Sequence, residues 1–419
     1  MRAGYGIILV ALALLTLGVV MVNSAGLTVT PDPRLVTTGQ VTAEQFERMS
    51  AAHRPISPAS VFFGRTTTLA LVAMLAIFVG SRVPVERLAG LKGWRSPVPW
   101  MIGLSIVLLV LVHVPGIGRS VNNSSRWIGP PQYGFQPSEL AKWAMPFLVA
   151  WWCCRQGDLI ASFRRGFLPA ILVLAVVCGL VADEDLGTAV LIFSAGCLVL
   201  AAGGVRWWNL ALLVPAGLSA VAALIVTSPY RLDRLLAWRN PFADPQGIGY
   251  HIIQSMSAIS GGGLTGRGFG RGLQKFGYLP EDTTDFIYAI VCEELGIGGA
   301  LLTLLLYALL LWFGYRILAM RIRTAAGTGP ALSPFAQLYV FGVLATIGLQ
   351  ALINVTVVTG IAPTKGIALP LLSSGGSGWV MTGFALGTVL AIERAAVRRI
   401  AREGIPEDDG REAARVATA

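Results

Sequence analysis

The chain has 419 residues, of which 54% are hydrophobic and 13% charged, and its mean hydropathy is +0.68. This much apolar surface exceeds what a soluble fold buries, so the composition excludes a soluble globular enzyme and indicates a polytopic membrane protein. The formal net charge is +10. Because the basic residues concentrate in alternate loops, this charge reflects membrane topology and attraction to anionic lipids, and no nucleic-acid partner is expected.

Apolar runs of roughly 20 residues predict about ten transmembrane helices. The runs are continuously apolar instead of alternating, which favours helices over strands. The predicted spans are 4–24, 60–80, 98–115, 138–154, 167–182, 186–204, 207–228, 286–318, 334–359 and 367–392. The first run is longer than the roughly 7 to 15 residues of a signal-peptide core, so we interpret it as a retained helix. The expected fold class is an all-α polytopic bundle.

The basic loops predict the orientation of the bundle. They comprise 81–95, the loop with Arg155, Arg164 and Arg165, the turn at Arg206, and the stretches 316–323 and 393–402. All lie on the side of Met1, so the positive-inside rule places both termini in the cytoplasm and a large loop, 229–284, outside. Residues 1–400 are expected to form one integral membrane domain. The polar segment 401–419 is predicted to be a short disordered cytoplasmic tail.

Two of the predicted outer segments precede the fourth span. Residues 25–59 include an amphipathic pattern, "TAEQFERMSAAHRP", which we interpret as a surface helix on the membrane interface. Residues 116–137 are rich in turn formers and carry Arg126 beside Trp127. This arginine is either an interfacial anchor or a ligand for a phosphate group.

The third outer segment, 229–284, has a glycine-dense tract at 261–272 and several cations. These cations are Arg231, Arg234, Arg239, Arg267, Arg271 and Lys275. Glycine amides together with guanidinium groups suit an oligophosphate, because backbone N–H groups approach a ligand closely where no Cβ intervenes. A flexible hinge is the alternative interpretation of the tract.

Ionisable residues also occur at membrane depth. Glu139 and Lys142 are three residues apart on one helical face, where they either neutralise each other or face a polar cavity. Glu293 and Glu294 lie about two turns below Asp285 on the eighth span and are expected to pair with a cation on a neighbouring helix.

Three consecutive acidic residues, Asp183, Glu184 and Asp185, begin the sixth span at its predicted outer edge. Capping of the helix N-terminus explains one of them, and an arginine or a divalent cation would relieve the repulsion among the three. The three histidines of the chain are scattered in sequence, which does not indicate an imidazole-rich metal site.

Six motifs in order resemble one family of membrane proteins. They are "SSRWIG", "FQPSELAK", "EDLGTA", "DPQGIGYHIIQS", "LPEDTTDFIYAIVCEELG" and "NVTVVTGIAPTKGIALPLLSSGGSG". The chain resembles the SEDS family, which comprises FtsW, RodA and SpoVE, over residues 100–395 by motif and over its whole length by helix number. The resemblance implies a peptidoglycan glycosyltransferase of the bacterial inner membrane. Its substrate would be lipid II, a disaccharide-pentapeptide on undecaprenyl diphosphate.

The resemblance also implies roles for residues. Asp285 of "TDFIY" occupies the position of the catalytic aspartate, in the loop that joins the seventh and eighth helices. The substrate-binding motifs place Glu139, Lys142, Asp185 and Lys365 in the site, and Ser373 of "SSGGS" belongs to the same set. "PTKG", which contains Lys365, looks more like FtsW than RodA. We expect Asp285 to act as a general base whose basicity rises with partial desolvation.

The leaving diphosphate requires positive charge, for which several cations are candidates. They are Arg126, Arg231, Arg234, Arg267, Arg271 and Lys365. A divalent cation, Mg or Mn, held by Asp185 or Asp285, is the alternative. The polyprenyl tail needs an apolar groove, for which the small residues of "GFALGTVLA" at 383–391 are suited.

The expected partners are lipid II, the growing glycan chain, membrane lipids and a class B penicillin-binding protein. Two other functions fit the sequence: a flippase for lipid-linked sugars, and a non-catalytic scaffold of a cell-wall synthesis complex. The chain also departs from the family pattern, with Glu184 in place of a proline, Ser374 in place of a tyrosine and "AISGGG" in place of "AIGSGG". These departures weaken the assignment to a branch of the family.

Overall fold

The computed structural model describes residues 2–26, 42–44, 46–47, 62–121, 124–130, 134–274, 279–324, 327–374 and 376–403. Lys275, the tail 404–419 and most of the segment 25–59 lie outside the described residues, so the predictions about them stay predictions.

Each of the ten predicted spans contains a helix. We number these helices α1 Ala3–Ala25, α2 Arg65–Gly80, α3 Pro97–Leu111, α4 Pro137–Gln156, α5 Leu168–Glu184, α6 Leu186–Ala202, α7 Leu213–Val226, α8 Ile287–Leu318, α9 Pro334–Val358 and α10 Ser377–Glu403. By length and composition, six helical stretches of the described residues can cross a membrane. They are Ala3–Ala25, Phe163–Glu184, Trp207–Val226, Ile287–Leu318, Pro334–Val358 and Ser377–Glu403. The helices α2, α3 and α6 are shorter apolar helices. The prediction of an all-α polytopic membrane protein is confirmed.

Shorter elements connect the spans. Two antiparallel hairpins pair β1 Gly118–Val121 with β2 Ser124–Ile128 and β3 Arg321–Thr324 with β4 Gly327–Pro330. Four other short α-helices of the described residues are Val85–Gly90, Trp207–Ala211, Pro229–Arg239 and Tyr250–Gly262. The last two lie within the predicted outer loop 229–284, so the described part of this loop contains regular secondary structure.

The helices α2 and α10 pack closely because glycines remove side chains from their contact. A Cβ on Gly387 would lie 2.3 Å from the Ile77 carbonyl oxygen, and a Cβ on Gly383 would lie 2.6 Å from that of Ala73. Small residues permit such backbone contact between membrane helices. We expected the stretch 383–391 to border a groove for a lipid tail. This is wrong for the side of α10 that carries Gly383 and Gly387, because α2 packs directly against it.

Helix α7 has a different environment. None of its fourteen residues is buried, and its main contacts are with the flanking helices Trp207–Ala211 and Pro229–Arg239. Its sequence, "LVPAGLSAVAALIV", is apolar on all sides. A helix of this kind is compatible with lipid around most of its surface.

Helix α8 is broken at Gly296, where φ is 64° and ψ is −158°. This backbone conformation is essentially restricted to glycine. The glycine-dense tract fills the break: Arg267 and Gly268 donate backbone hydrogen bonds to the carbonyls of Glu293 and Glu294, and Ile297 N–H donates to the Gly263 carbonyl. The tract thus satisfies backbone groups that the break would leave unpaired at membrane depth.

Substitution of Gly296 by alanine is expected to destabilise the protein. A Cβ there would lie 2.4 Å from Gly266 N and 2.6 Å from Leu264 O, and the backbone strain alone costs about 1–3 kcal/mol. The matched control is Gly298→Ala, because no described atom lies within 4 Å of a Cβ at Gly298. Thermal unfolding in detergent should show a lower midpoint for Gly296→Ala and an unchanged or slightly higher one for Gly298→Ala. Equal midpoints would contradict this account of the break.

The carboxylates near the break have partners other than those expected. Glu293 accepts hydrogen bonds from Leu273 N at 2.8 Å and lies 3.6 Å from Arg267 Nε. Glu294 accepts from Ser24 Oγ at 2.6 Å and from Gly270 N at 3.1 Å. The prediction of a cation on a neighbouring helix is therefore wrong for Glu293, because the cation beside it, Arg267, belongs to the glycine-dense tract.

The tenth span begins later than predicted. Residues 367–376 were assigned to it, but α10 begins at Ser377. Pro370 provides no N–H for a helix, and Leu371 has a positive φ of 62°. Ser373 Oγ instead accepts the Leu369 N–H at 2.7 Å. This buried, non-helical segment becomes part of the wall of a cavity.

Candidate active site

A cavity of about 460 Å³ lies at the end of the bundle that carries hairpin β1–β2 and residues 229–286, here called the cavity end. Its walls come from α4, α6, α9, α10, β2, the helices Pro229–Arg239 and Tyr250–Gly262, and segments 280–285 and 366–374. Its volume is in the range of sites for small molecules. Polar and charged side chains therefore meet at one edge of an apolar bundle.

The cavity brings seven of the predicted site residues together. They are Arg126, Glu139, Lys142, Asp185, Arg234, Asp285 and Ser373. These residues are distant in sequence, and the ends of separate helices position them. Sequence reasoning missed His251, Glu281 and Gln350, which also line the cavity, and Asn354, which supports its wall.

Asp285 is fixed by contacts between the segment before α8 and the segment before α10. Asn354 Nδ2 donates to the backbone carbonyls of Asp285 at 2.7 Å and of Ile367 at 2.6 Å. A Cβ on Gly366 would lie 2.7 Å from Asp285 Oδ2, so glycine leaves the room that the carboxylate occupies. The carboxylate is therefore held at a defined place on the cavity wall.

The surroundings of Asp285 change its acidity. The pKa of Asp285 is raised from 3.8 to about 7: burial is the largest cause, the negative charges of Glu281 and Asp185 add to it, and Arg126 and Arg234 oppose it. Asp285 is half-buried and lines the cavity. A carboxylate with a pKa near neutrality can accept a proton under physiological conditions.

Arg126 and Asp185 form an ion pair beside Asp285. Arg126 Nη1 lies 3.5 Å from Asp185 Oδ2. Asp185 also caps α6, because its Oδ1 accepts the Thr188 N–H at 3.0 Å and its Oδ2 accepts the Thr188 hydroxyl at 2.8 Å. Asp185 thus has a structural role in addition to its position in the cavity.

Arg234 reaches the cavity from the helix Pro229–Arg239. Its guanidinium lies over the ring of Tyr230 at 4.4 Å and donates to the Thr364 carbonyl at 3.3 Å. His251 stacks on Phe286 with ring centroids 6.0 Å apart, and burial and then Arg234 lower its pKa. The neutral form of His251 is therefore favoured next to Arg234.

Glu139 and Lys142 form a largely buried ion pair in the lining of the cavity. Lys142 Nζ lies 2.8 Å from Glu139 Oε1 and 2.9 Å from Gln350 Oε1, and the lysine side chain is 2% exposed. Gln350 Nε2 in turn donates to the Ala368 carbonyl at 2.6 Å. Glu139 Oε2 is buried and has no hydrogen-bond partner among the described residues. This oxygen can accept a hydrogen bond from a bound ligand.

The remaining predicted cations do not line the cavity. Arg231 donates to the carbonyls of Ala182 and Asp183, each at 2.8 Å, and Arg267 lies against Glu293. Arg271 is exposed, and the amides of the glycine-dense tract donate to Glu293 and Glu294 instead of facing a ligand. Binding of a substrate by Arg231, Arg267 or Arg271 stays a prediction without support from the cavity.

Lys365 also lies outside the cavity lining, although it is within electrostatic range of it. Burial lowers its pKa, the negative charge of Asp185 raises it, and Arg234 and Arg231 lower it. Its role in binding stays a prediction as well.

Fold and site together define a multi-pass membrane protein with a polar, charged cavity at one end of its helical bundle. A family model named FTSW_RODA_SPOVE, described as a cell cycle protein, matches residues 6–398. The chain belongs to this family. The predicted resemblance is thereby confirmed.

Individual relatives agree with the family assignment. The chain is 39% identical to stage V sporulation protein E of Bacillus subtilis over 302 residues, which cover 72% of this chain and 80% of that protein. It is 34% identical to a probable peptidoglycan glycosyltransferase FtsW of Geobacter metallireducens over 388 residues, which cover 92% and 93%. Since relatives of both names match, the branch within the family stays a prediction.

Two solved structures are similar over most of the chain. One is a chain from a structure of a peptidoglycan synthase complex, described as showing the structural coordination of polymerization and crosslinking. Its TM-score is 0.65 and its sequence identity 27%, and the match covers 93% of this chain and 97% of that one. The other is the rod shape determining protein RodA of Thermus thermophilus, with a TM-score of 0.60, 26% identity and coverage of 93% and 96%.

Proposed function

We propose that this protein is a peptidoglycan glycosyltransferase that polymerises lipid II into glycan strands. Relatives named for this activity support the proposal. The observation that carries it is the position of Asp285: a carboxylate with a raised pKa on the wall of a cavity that also contains Arg126 and Arg234. This combination provides a base and positive charge at one place.

In the proposed reaction, a sugar 4-hydroxyl of lipid II attacks the anomeric carbon of the growing chain. A C–O bond forms at the anomeric carbon as the bond to the diphosphate breaks, with inversion of configuration. The hydroxyl proton passes to Asp285, and the bonding electrons leave with the polyprenyl diphosphate. A positioned general base typically contributes about 10² to 10⁴ in rate.

Arg126 and Arg234 would stabilise the charge that develops on the diphosphate. Asp185 and Asp285 face the same cavity, and carboxylates suit a hard divalent cation, so these two residues could hold Mg or Mn. Such an ion would supply further electrostatic stabilisation of the leaving group. Glu139 Oε2 would accept a hydrogen bond from a sugar or peptide group.

The polyprenyl tail would lie against α7. This helix is apolar and has no buried residue, and the helix that follows it, Pro229–Arg239, places Tyr230 and Arg234 in the cavity. A lipid chain leaving the cavity along this side would remain in the hydrocarbon region. We further propose that the cavity faces outward, that both termini are cytoplasmic and that a class B penicillin-binding protein is the partner.

One experiment separates this function from transport and scaffolding. The purified protein, reconstituted with a class B penicillin-binding protein in liposomes, receives labelled lipid II, and both glycan polymer and lipid II movement are measured. The proposal predicts polymer that depends on this chain. Movement of lipid II without polymer would favour a flippase. The absence of both polymer and lipid II movement would favour a scaffold.

The acidic limb of the pH–rate profile should report Asp285. Because Asp285 must be ionised to accept a proton, the polymerisation rate is expected to rise with pH through a midpoint near 7. Glu281→Gln removes a negative charge that raises the pKa of Asp285, so the midpoint should move to lower pH. Asp282→Asn, one residue away, is the control, since Asp282 is not among the causes of the shift. An unmoved midpoint in Glu281→Gln would contradict the assignment of this limb to Asp285.

A further inference from the structure

Three side chains of the kinds that bind metal ions lie close together at the cavity end, outside the proposed catalytic cavity. His113 follows α3, and Asp183 and Glu184 end α5. His113 Nε2 is 3.5 Å from Asp183 Oδ2 and 3.6 Å from Glu184 Oε1, and the three ligand atoms lie within 4.8 Å of one another. We propose that these residues bind one divalent transition-metal ion of the zinc type.

The separations fit metal coordination better than direct hydrogen bonding. Both exceed the 2.7–3.2 Å range of ordinary N–H···O bonds. Ligands about 2.0–2.1 Å from a tetrahedral zinc ion lie about 3.3 Å from one another. The two distances from the imidazole are close to this tetrahedral edge, so small shifts would seat an ion between the three residues.

A hydrogen bond of the imidazole determines which ring nitrogen faces the carboxylates. His113 Nδ1 lies 3.1 Å from the Leu109 carbonyl oxygen, which accepts hydrogen bonds only, so Nδ1 carries the hydrogen. In the neutral ring, Nε2 then presents a lone pair to the two carboxylates. Metal-binding histidines commonly donate their other ring N–H to a carbonyl in this way. When Nε2 carries no hydrogen, all three converging atoms are electron-pair donors that one cation can bind together.

The structure also provides space beside the group. A separate cavity of about 20 Å³ is bordered by His113, Glu184, Ser125 and Asp185. This volume is enough for about one water molecule, which could complete a four-coordinate site. One imidazole nitrogen with two carboxylate oxygens suits zinc, whereas magnesium and calcium prefer oxygen ligands alone.

An ion here would tie three elements together next to the catalytic cavity. Glu184 Oε2 accepts the Ser125 N–H at 2.6 Å, and the next residue, Arg126, contacts Asp185. The ion would therefore join the end of α3 and the end of α5 to the strand that carries Arg126. Its expected role is to position Arg126, and the site is distinct from one formed by Asp185 and Asp285.

Zinc titration of the full-length protein tests this site without reference to activity. The protein in detergent is stripped with a chelator and titrated with ZnCl₂ or MgCl₂ in a calorimeter. One zinc per chain is expected, with Mg²⁺ binding much more weakly. His113→Ala and Asp183→Asn should each weaken zinc binding at least about tenfold.

The matched control is Asp158→Asn, another exposed aspartate, which follows α4 and lies outside the group. It should bind zinc like the wild type. If His113→Ala fails to fold, Asp183→Asn carries the test, because its side chain is 76% exposed and contributes little to packing. The absence of saturable zinc binding, wild-type affinity in both variants, or equal affinity for Mg²⁺ would overturn the proposal.

Discussion

Replacement of Asp285 by asparagine is expected to lower the rate of glycan polymerisation by about 10²- to 10⁴-fold, because the amide keeps the shape of the side chain but cannot accept a proton. The measurement is polymer formed from labelled lipid II at saturating substrate and partner. Asp282→Asn, in the same segment, should retain activity. If Asp285→Asn polymerises at the wild-type rate, Asp285 is not the general base.

The same variant should not be less stable than the wild type, which separates loss of chemistry from loss of fold. The folded-state pKa of Asp285 is raised to about 7 from an ordinary 3.8, so folding disfavours its ionised form. Below about pH 4 both states are protonated and the group has no effect. Its destabilising effect grows as pH rises between these values and is complete above the folded-state pKa. The unfolding midpoint of Asp285→Asn should therefore exceed that of the wild type by more at pH 8 than at pH 5.

Lys142→Met is expected to cause the largest loss of stability. Lys142 is 2% exposed and pairs with Glu139 and Gln350, so its removal leaves a largely buried carboxylate, 13% exposed, without its cation. Breaking a buried ion pair in this way costs about 3–5 kcal/mol. The double variant Glu139→Gln with Lys142→Met removes both charges and should recover much of this loss. Unfolding by denaturant in mixed micelles measures the difference.

The control for Lys142→Met is an exposed ion pair of similar geometry. Arg399 and Glu403 are 3.0 Å apart at the end of α10, with side chains 47% and 56% exposed. Glu403→Gln should cost less than about 1 kcal/mol, because water screens an exposed pair. If Lys142→Met costs no more than Glu403→Gln, the Glu139–Lys142 pair does not stabilise the bundle.

The membrane helices could be predicted because apolar run length alone determines whether a segment can span a bilayer. The break at Gly296 could not, since the predicted apolar span 286–318 continues through "ELGIGGA" and the sequence does not show which of its three glycines interrupts the helix. The glycine-dense tract was noticed for its composition, but composition does not say which acceptors its amides meet. They meet Glu293 and Glu294, about twenty residues away in sequence, through a long-range contact.

The site was predicted in part. Asp285, Glu139, Lys142 and Asp185 came from motif resemblance, and the structure places all four in one cavity. The sequence does not show which cations of the segment 229–284 face the cavity, so it could not distinguish Arg234, which lines the cavity, from Arg231, which does not. Gln350 and Asn354, missed at first, carried a usable signal: two polar residues four apart in an apolar span share one helical face, and such residues face polar cavities.

The most direct test of Asp285 as the base is an experimental structure with a lipid II analogue and a short glycan chain bound. The account predicts the acceptor sugar hydroxyl within about 2.6–3.2 Å of the Asp285 carboxylate, or joined to it by one water, with the diphosphate against Arg126 and Arg234. A structure in which Asp285 contacts the diphosphate or a metal alone, with both sugars beyond its reach, would contradict it.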